Sequence, residues 1–573
     1  MRRALFIAAG IGGLIALGFW FANVRATQLI NTLLRDFATA ETARLSDSVY
    51  VLRVGVLHVN WPRRRVTLDS VRLTTDVERN DRRPQPLAAA SVALRNCTLG
   101  GISLSRLLLY RGLAAGVFGC RDVEFMSEAQ AGPPDAARLA VRAAATVRAD
   151  SQRAAPVAFL ALQQTLQLPR QVPRLRIARI SFPNVSISLI QHYELRKQLT
   201  FVLERAQLHA DGLAIDPGDP DAASRTLFSR SVTLSAQNAL FLPDTATSAS
   251  VAQLDVDFTD SSLTIHGLAY GPHISDVAFA QQSPWRRDRI RASAESLTVR
   301  GMDIDRFART GSVRIRTLEL DSLRFEIRSD KRRPSRPGRP VPRRSVQAFM
   351  AASTRSWQID TIHIRRSEVV YEEFARGRDT PGRMVFGRLE AVGTSFRHAR
   401  GAPSTAHPFS LEATALLMGR GQLRATFEIP LDAPSFTLRA RGSLGPMPGT
   451  ALNPFISAIM PAAVKEGELQ GLTFALRVTD GHAAGQLTPL YTGLKIDVTG
   501  RGMTGVMGSP GLIGGIVRGA AELAAGWRVR GSNPSDPGAT PRAGTINHTF
   551  HGETLPAFFW SAIRTGLLPV IIK

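Results

Sequence analysis

The chain has 573 residues, 44% of them hydrophobic, which places it among folded proteins and leaves room for several domains or one extended repeat. Its net charge of +24 arises from 71 Lys and Arg against 47 Asp and Glu, spread along strand-like segments with no recognition helix or stacked-aromatic motif; this excludes nucleic acid as the implied partner and points to anionic lipid. The two cysteines, Cys97 and Cys120, exclude a disulfide framework and a cysteine-based zinc site.

Ala4–Val24 is an uncharged apolar run of about twenty residues, long enough for one bilayer-spanning helix. Arg2 and Arg3 precede it, and Phe19, Trp20 and Phe21 crowd its far end, which predicts a cytoplasmic N-terminus and an exported body. The competing reading is a cleaved signal peptide. That needs a small-x-small site, for which only the residues around Ala22 and Ala26 serve, and Arg25 spoils the second. Leu29, Leu33, Leu34 and Phe37 continue at helical spacing and predict an amphipathic stalk to Ala40.

Beyond the stalk the period becomes two. Val54, Val56, Trp61, Val66, Leu68, Val71 and Leu73 predict a strand, a turn at Pro62–Arg65 and a second strand. Strand-like Val92–Leu99, a turn at Gly100–Gly101, the short segment Ile102–Tyr110 and strand-like Val117–Phe125 follow. The order then recurs. Gly101–Leu107 matches Gly301–Phe307, and the same 200-residue offset carries Leu113 onto Val313, Val123 onto Leu323 and Phe125 onto Phe325. Upstream, Leu57, Val59, Trp61, Val66, Leu68 and Val71 fall on Leu254, Val256, Phe258, Leu263, Ile265 and Leu268. Downstream, Ile177, Ile180, Phe182, Ile187 and Leu189 fall on Ile359, Ile362, Ile364, Val369 and Tyr371. A fixed-order repeat predicts a tandem duplication, 50–215 and 249–397, stacked on a shared core. Cys97 and Cys120 align with Leu297 and Leu320, which predicts two buried core thiols; a single bridge is the alternative in an exported body.

Each repeat carries an insertion. Ala131–Gln171 is Ala-rich, with helix-like Val157–Leu166. Lys331–Arg344 is basic and broken by proline, and helix-like Ser345–Ser356 follows it. Arg332, Arg333, Arg343 and Arg344 there are candidate contacts for lipid headgroups; a solvated loop is the other reading. From Pro408 the alternation becomes regular through Leu411–Leu417, Leu423–Ile429, Phe436–Ala440, Phe474–Val478 and Leu494–Val498. This predicts an antiparallel meander with one apolar and one wet face, interrupted by a short helix over Asn453–Ala463. The tail predicts a helix over Gly511–Gly526, a loop over Gly531–Gly544, a strand over Thr545–Phe550 and a helix over Leu555–Leu568.

Catalytic patterns are weak. Gly500-Arg-Gly-Met-Thr-Gly505 fits G-x-G-x-x-G, yet its strand closes an antiparallel meander and no parallel strand follows, so a flexible turn accounts for the glycines. Asp255/Asp257 and Asp303/Asp305 each place two carboxylates on one strand face. They suit a metal or acid–base pair, or a solvated sheet face, and Ser103 and Ser105 replace the second pair in the first repeat. Neither H-E-x-x-H nor a G-x-S-x-G elbow occurs. The sequence predicts no catalytic, cofactor-binding or metal-binding residue and no cofactor, and the chain does not read as an enzyme.

Taken together, the N-terminal anchor, the strand pair Val54–Leu73, the glycine-led segments at Gly101 and Gly301, and the meander Leu411–Val498 resemble the AsmA-like family, related to TamB-type and chorein-type bridge-like lipid transfer proteins. The tail elements Trp527–Pro534 and Phe558–Gly566 resemble the ending of short bacterial members. The resemblance implies an inner-membrane anchor, a periplasmic body, and a mainly β fold made of an elongated, curved antiparallel sheet whose apolar groove binds acyl chains. It implies phospholipid and the inner membrane as partners, a role in phospholipid transfer or outer-membrane homeostasis, and no catalytic residue. The implied divisions are an anchor and stalk at 1–40, repeat units at 41–215 and 216–400, a meander at 401–502, and a glycine-rich helix, loop and terminal helix at 503–573. The apolar face of the repeats and meander supplies the candidate groove lining: Val256, Phe258, Leu263, Ile265, Leu320, Leu323, Phe325, Ile327, Leu423, Phe427, Leu438, Phe474, Leu476 and Ile496. An ordinary β-sandwich core is built from the same alternation. Two other functions stand beside lipid transfer: an envelope scaffold that engages another envelope protein through the terminal helix, and an exported hydrolase.

Overall fold

The computed structural model describes residues 24–25, 27–28, 31, 36, 38–83, 89–110, 112–130, 173–194, 197–216, 228–244, 246–310, 312–334, 345–353, 356–398, 407–498 and 529–572. The chain is mainly β, with sequential strands in a mixed sheet. It divides into two compact units, Met1–Ile265 with Ala308–Thr310 and His266–Phe307 with Gly311–Lys573. Among the described residues no helix is long and apolar enough to cross a membrane. The run Ala4–Val24 lies outside them except for Val24, as do Gly511–Gly526 and the G-x-G-x-x-G glycines.

In the first unit the strands are β1 (Tyr50–Val54), β2 (Leu57–Asn60), β3 (Arg65–Thr75), β4 (Ala89–Gly100), β5 (Gly112–Gln130), β6 (Arg174–Glu194), β7 (Lys197–Ile215), β8 (Ser231–Leu242) and β9 (Thr247–Asp257). β10 (Ser262–Pro272) carries the chain into the second unit. There follow β11 (Arg289–Arg300), β12 (Val313–Asp321), β13 (Arg324–Asp330), β14 (Trp357–Phe374), β15 (Gly382–His398), β16 (Phe409–Leu417), β17 (Gly421–Ile429), β18 (Leu438–Leu444), β19 (Met447–Pro448), β20 (Ala462–Thr479), β21 (His482–Val498) and β22 (Gly544–Thr549).

The expectation of a purely antiparallel sheet is corrected in both units. β5 pairs with β6 in parallel, and β12 and β13 pair with β14 in parallel. Parallel neighbours need a crossover of about a dozen residues or more, and the two predicted insertions are where the chain supplies it. The described part of the second crossover includes the helix Val346–Ala352, capped by the Ser345 hydroxyl, which accepts from the Ala348 amide. The meander is antiparallel, as the alternation predicts, from β15 through β22. The helix expected over Asn453–Ala463 ends at Ile459, because Ala462 already belongs to β20.

The two predicted copies keep one register. Cys97 faces Cys120 across β4 and β5, and Leu297 faces Leu320 across β11 and β12. Leu113 pairs with Leu175, and Val313 with Trp357. Gly101 and Gly301 both adopt positive φ, +69° and +64°, where a Cβ is strained. Each turn feeds a short helix, Leu104–Leu109 or Ile304–Thr310. Ser103 caps the first by accepting from the Arg106 amide, and Asp303 caps the second from Arg306. The cysteines correct a second expectation: they are buried, but as one disulfide with Cα atoms 3.9 Å apart, not as two thiols. The register places them opposite on neighbouring antiparallel strands, the closest approach two side chains on adjacent strands can have.

Candidate functional site

Strand alternation in the first unit sends Val123, Phe182, Val185, Ile187, Phe201, Leu203, Leu234, Val251 and Leu254 into one apolar cluster. All come from β5 to β9, which are consecutive neighbours in one sheet. Among the described residues no helix joins this cluster. A flat sheet holds neighbouring side chains side by side without enclosing them. Leu203 is nevertheless 3% exposed and Ala206 0%. Most of the wall is only half-buried, including Phe182, Ile187, Phe201, Leu234 and Leu254. The predicted lining residue Val256 faces Leu234 and so stands on the same side. Phe258, Leu263 and Ile265 are also half-buried. Phe182, Phe201 and Leu234 were not among the predicted lining; the alternation within β6 to β8 carried the signal.

The second unit fills its apolar face differently. The helix Leu555–Ile571 lies on the meander, with Phe558 and Ala562 fully buried against Leu438, Leu476, Val478, Leu487 and Ile546. Phe427 and Phe474 pack on the same cluster, and Phe427 meets Phe559 edge-to-face at 5.6 Å. Ile327 is buried with Tyr371, Met384 and Phe455, and Phe325 and Leu423 pack beside them. Leu320, Leu323 and Ile496 are half-buried. The helix approaches so closely because Gly544 and Gly566 meet without side chains; a Cβ on Gly544 would lie 1.9 Å from the Gly566 carbonyl oxygen. At its far end the Arg530 guanidinium donates to the carbonyls of Pro569 and Val570, at 3.1 and 3.0 Å, satisfying the last turn. The helix proposed as a partner contact thus spends its apolar side chains inside its own unit.

The predicted polar residues are held by the fold. Arg332 pairs with Asp330 at 2.9 Å and stacks over Phe374, while Arg333 donates to the Ser283 carbonyl at 2.6 Å. Arg343 and Arg344 lie outside the described residues. Asp255 accepts from Gln253 at 2.7 Å, and Asp257 accepts from the Thr259 and Asp260 amides. Asp303 is the helix cap already described. Among the described residues no group of three or more His, Cys, Asp or Glu could hold a metal.

Two buried polar groups went unread in the sequence. The Tyr371 hydroxyl donates to Glu373 at 2.5 Å, and Lys331 pairs with the same carboxylate at 2.7 Å. Burial, then the Glu373 charge, pushes the Tyr371 phenol well above its usual value, and burial pushes the Arg564 guanidinium down against the pull of Glu373. His398 bonds to Asp432 through Nδ1, the arrangement of a base with its orienting acid, yet its buried Nε2 has no hydrogen-bond partner among the described residues, so no nucleophile is placed on it.

No family model matches this sequence, and no curated protein matches it. The functional reading therefore rests on residues and geometry.

Proposed function

We propose that this chain is a membrane-anchored, periplasmic lipid-binding protein of the AsmA-like type, acting in phospholipid transfer or outer-membrane homeostasis. The observation that carries the reading is the apolar cluster of β5 to β9, made by one sheet and half-open along its wall. Moving an acyl chain into water costs about 0.8 kcal/mol per methylene, so a carrier must offer continuous apolar surface. A half-buried sheet face does so without binding any one chain position in a deep pocket, and the headgroup stays wet.

A second observation supports the anchored geometry. The Trp61 indole donates to the Thr27 hydroxyl at 2.9 Å, three residues after the predicted span, and Trp61 shares a cluster with Leu107 of the helix Leu104–Leu109. Leu109 and Tyr110 at the end of that helix are 74% and 67% exposed. The corresponding residues of the second copy are Arg309 and Thr310. Exposed Leu and Tyr on the same short helix as the exposed Arg106 suit the headgroup layer of a bilayer.

The test is lipid analysis of the full chain purified in mild detergent, together with photo-crosslinking from Leu234 and Ile187. Co-purifying phospholipid and crosslinks from both positions are expected. A folded protein with neither lipid nor crosslink overturns the reading.

A further inference from the structure

The meander has a second face, polar and opposite the helix-covered one, that the apolar reading leaves unused. On it Arg441 stands opposite Thr426, and Arg424 stands between Thr414 and Ser443 in register. Arg439 stands directly opposite Arg477. Residues two apart on a strand share a face, so these side chains stand on one face of the sheet. Two cavities of about 650 and 360 Å³ open here and share Thr426 and Arg441.

The charge balance distinguishes this surface from an ordinary solvated one. Like charges directly opposite on neighbouring strands repel, and the fold neutralises such a pair elsewhere. Where Arg289 faces Arg328 across β11 and β13, Asp276 lies between them. It pairs with Arg328 at 2.8 Å and with Arg291 at 3.5 Å, and Glu372 meets Arg328 at 2.6 Å. At the Arg439–Arg477 pair, among the described residues, only Glu428 forms an ion pair, 3.7 Å from Arg439. Among the described residues no carboxylate pairs with the side chain of Arg424, Arg441 or Arg477. Arg365, Arg424 and Arg441 line the larger cavity with the hydroxyls of Thr414, Thr426 and Ser443 and the carboxylates of Glu390 and Glu412, and Arg439, Arg441 and Arg477 line the smaller one with Thr426 and Glu428, so arginines outnumber carboxylates in both.

We infer that this face binds a phosphate-bearing ligand. Guanidinium matches the geometry of a phosphate with parallel N–H···O bonds, and hydroxyls complete the shell of an oxyanion. The ligand's charge supplies what Asp276 supplies at the other arginine pair. A lipid headgroup and a soluble phosphate ester share this chemistry. The site lies on the face opposite the helix-covered apolar one, so it stands whether or not the apolar face of the first unit carries acyl chains.

The experiment uses the full chain in phosphatidylcholine nanodiscs, with inorganic phosphate as one probe and separate phosphatidylglycerol-containing vesicles as the other. Saturable binding to at least one probe is expected. R424Q/R441Q/R477Q should weaken it about tenfold or more, given the strength of charge-assisted hydrogen bonds. R121Q/R300Q/R314Q removes equal charge elsewhere and should leave binding within about twofold, since a screened distant charge contributes little. All six positions are exposed, so both variants should keep the parent unfolding midpoint. Vesicle capture lost in the first variant assigns a headgroup; phosphate binding without vesicle capture assigns a soluble ester. No saturable binding of either probe, or equal loss in both variants, overturns the inference.

Discussion

In the second unit, Phe558 from the helix Leu555–Ile571 fills the middle of the apolar sheet face and is fully buried among Phe436, Phe550 and Phe559. In the first unit, Phe201 and Phe182 occupy the corresponding kind of position on β7 and β6, with only strands of the same sheet as described neighbours, and both stay half-buried. The alternation along these strands is alike. What differs among the described residues is the layer above. A helix converts an alternating strand face into a core; on the function proposed here, the face on which no described helix lies is a lined trough. On that reading the difference separates apolar residues that hold the fold from apolar residues that meet a ligand.

The sharpest way to break this comparison is truncation of one aromatic in each place. Phe558→Ala should cost about 3–5 kcal/mol, the range for a large buried side chain that leaves a cavity. Phe201→Ala should cost clearly less, because its half-exposed ring loses fewer contacts, while reducing the lipid that co-purifies. Denaturant unfolding of both variants, with lipid analysis of each, checks this. Equal destabilisation would make the trough an ordinary core.

The disulfide offers the next largest effect. The first unit links β4 to β5 through Cys97 and Cys120, 23 residues apart, where the second has Leu297 and Leu320. Loop-closure entropy for that spacing is about 3 kcal/mol, so C97S/C120S should lose roughly that much stability. C97L/C120L imports the pair used by the second copy and should recover part of it by restoring apolar contact. Unfolding midpoints of the two variants decide; no difference between them would mean that the buried site does not reward apolar packing.

The smallest effect is electrostatic. Burial raises the Asp276 carboxyl, but the Arg289 hydrogen bond and the charges of Arg289, Arg328 and Arg291 outweigh it and hold the group below its usual 3.8. A carboxylate depressed in the folded state stabilises above the unfolded pKa, and that contribution is lost as pH falls through the folded pKa. Asp276→Asn should thus matter little at neutral pH, under about 1 kcal/mol for a half-exposed pair, and should flatten the loss of stability below about pH 4. Midpoints measured from neutral pH into that range test the sign; an unchanged acid slope would show that Asp276 is not the neutralising group.

Much of the strand order was legible because it rests on local terms. The hairpin of β2 and β3 around Trp61, the glycine turns at Gly101 and Gly301, and the meander from Phe409 to Val498 follow from alternation and φ preference alone. The parallel pairings were not legible, since β5 and β6 carry the same alternation whichever way they run. Nor was the trough. Val256 and Leu438 look alike as apolar strand residues, yet one stays half-buried beside Leu234 and the other is buried under the terminal helix. The arginine face was hidden for a related reason. Arg424, Arg441 and Arg477 are scattered in sequence and come onto one face only through the registers of β17, β18 and β20.

By itself the sequence determined many of the strands, among them Val92–Leu99, Leu411–Leu417 and Leu423–Ile429, and the turns at Gly101 and Gly301, because periodicity and backbone preference act over a few residues; it did not mark the strands Lys197–Ile215, Ser231–Leu242 and Gly382–His398. Tertiary structure alone decided the direction of pairing at β5–β6 and β12–β14, the bond between Cys97 and Cys120, and which apolar face the helix Leu555–Ile571 covers. Those outcomes depend on contacts between residues far apart in the chain, and no local pattern encodes the partner.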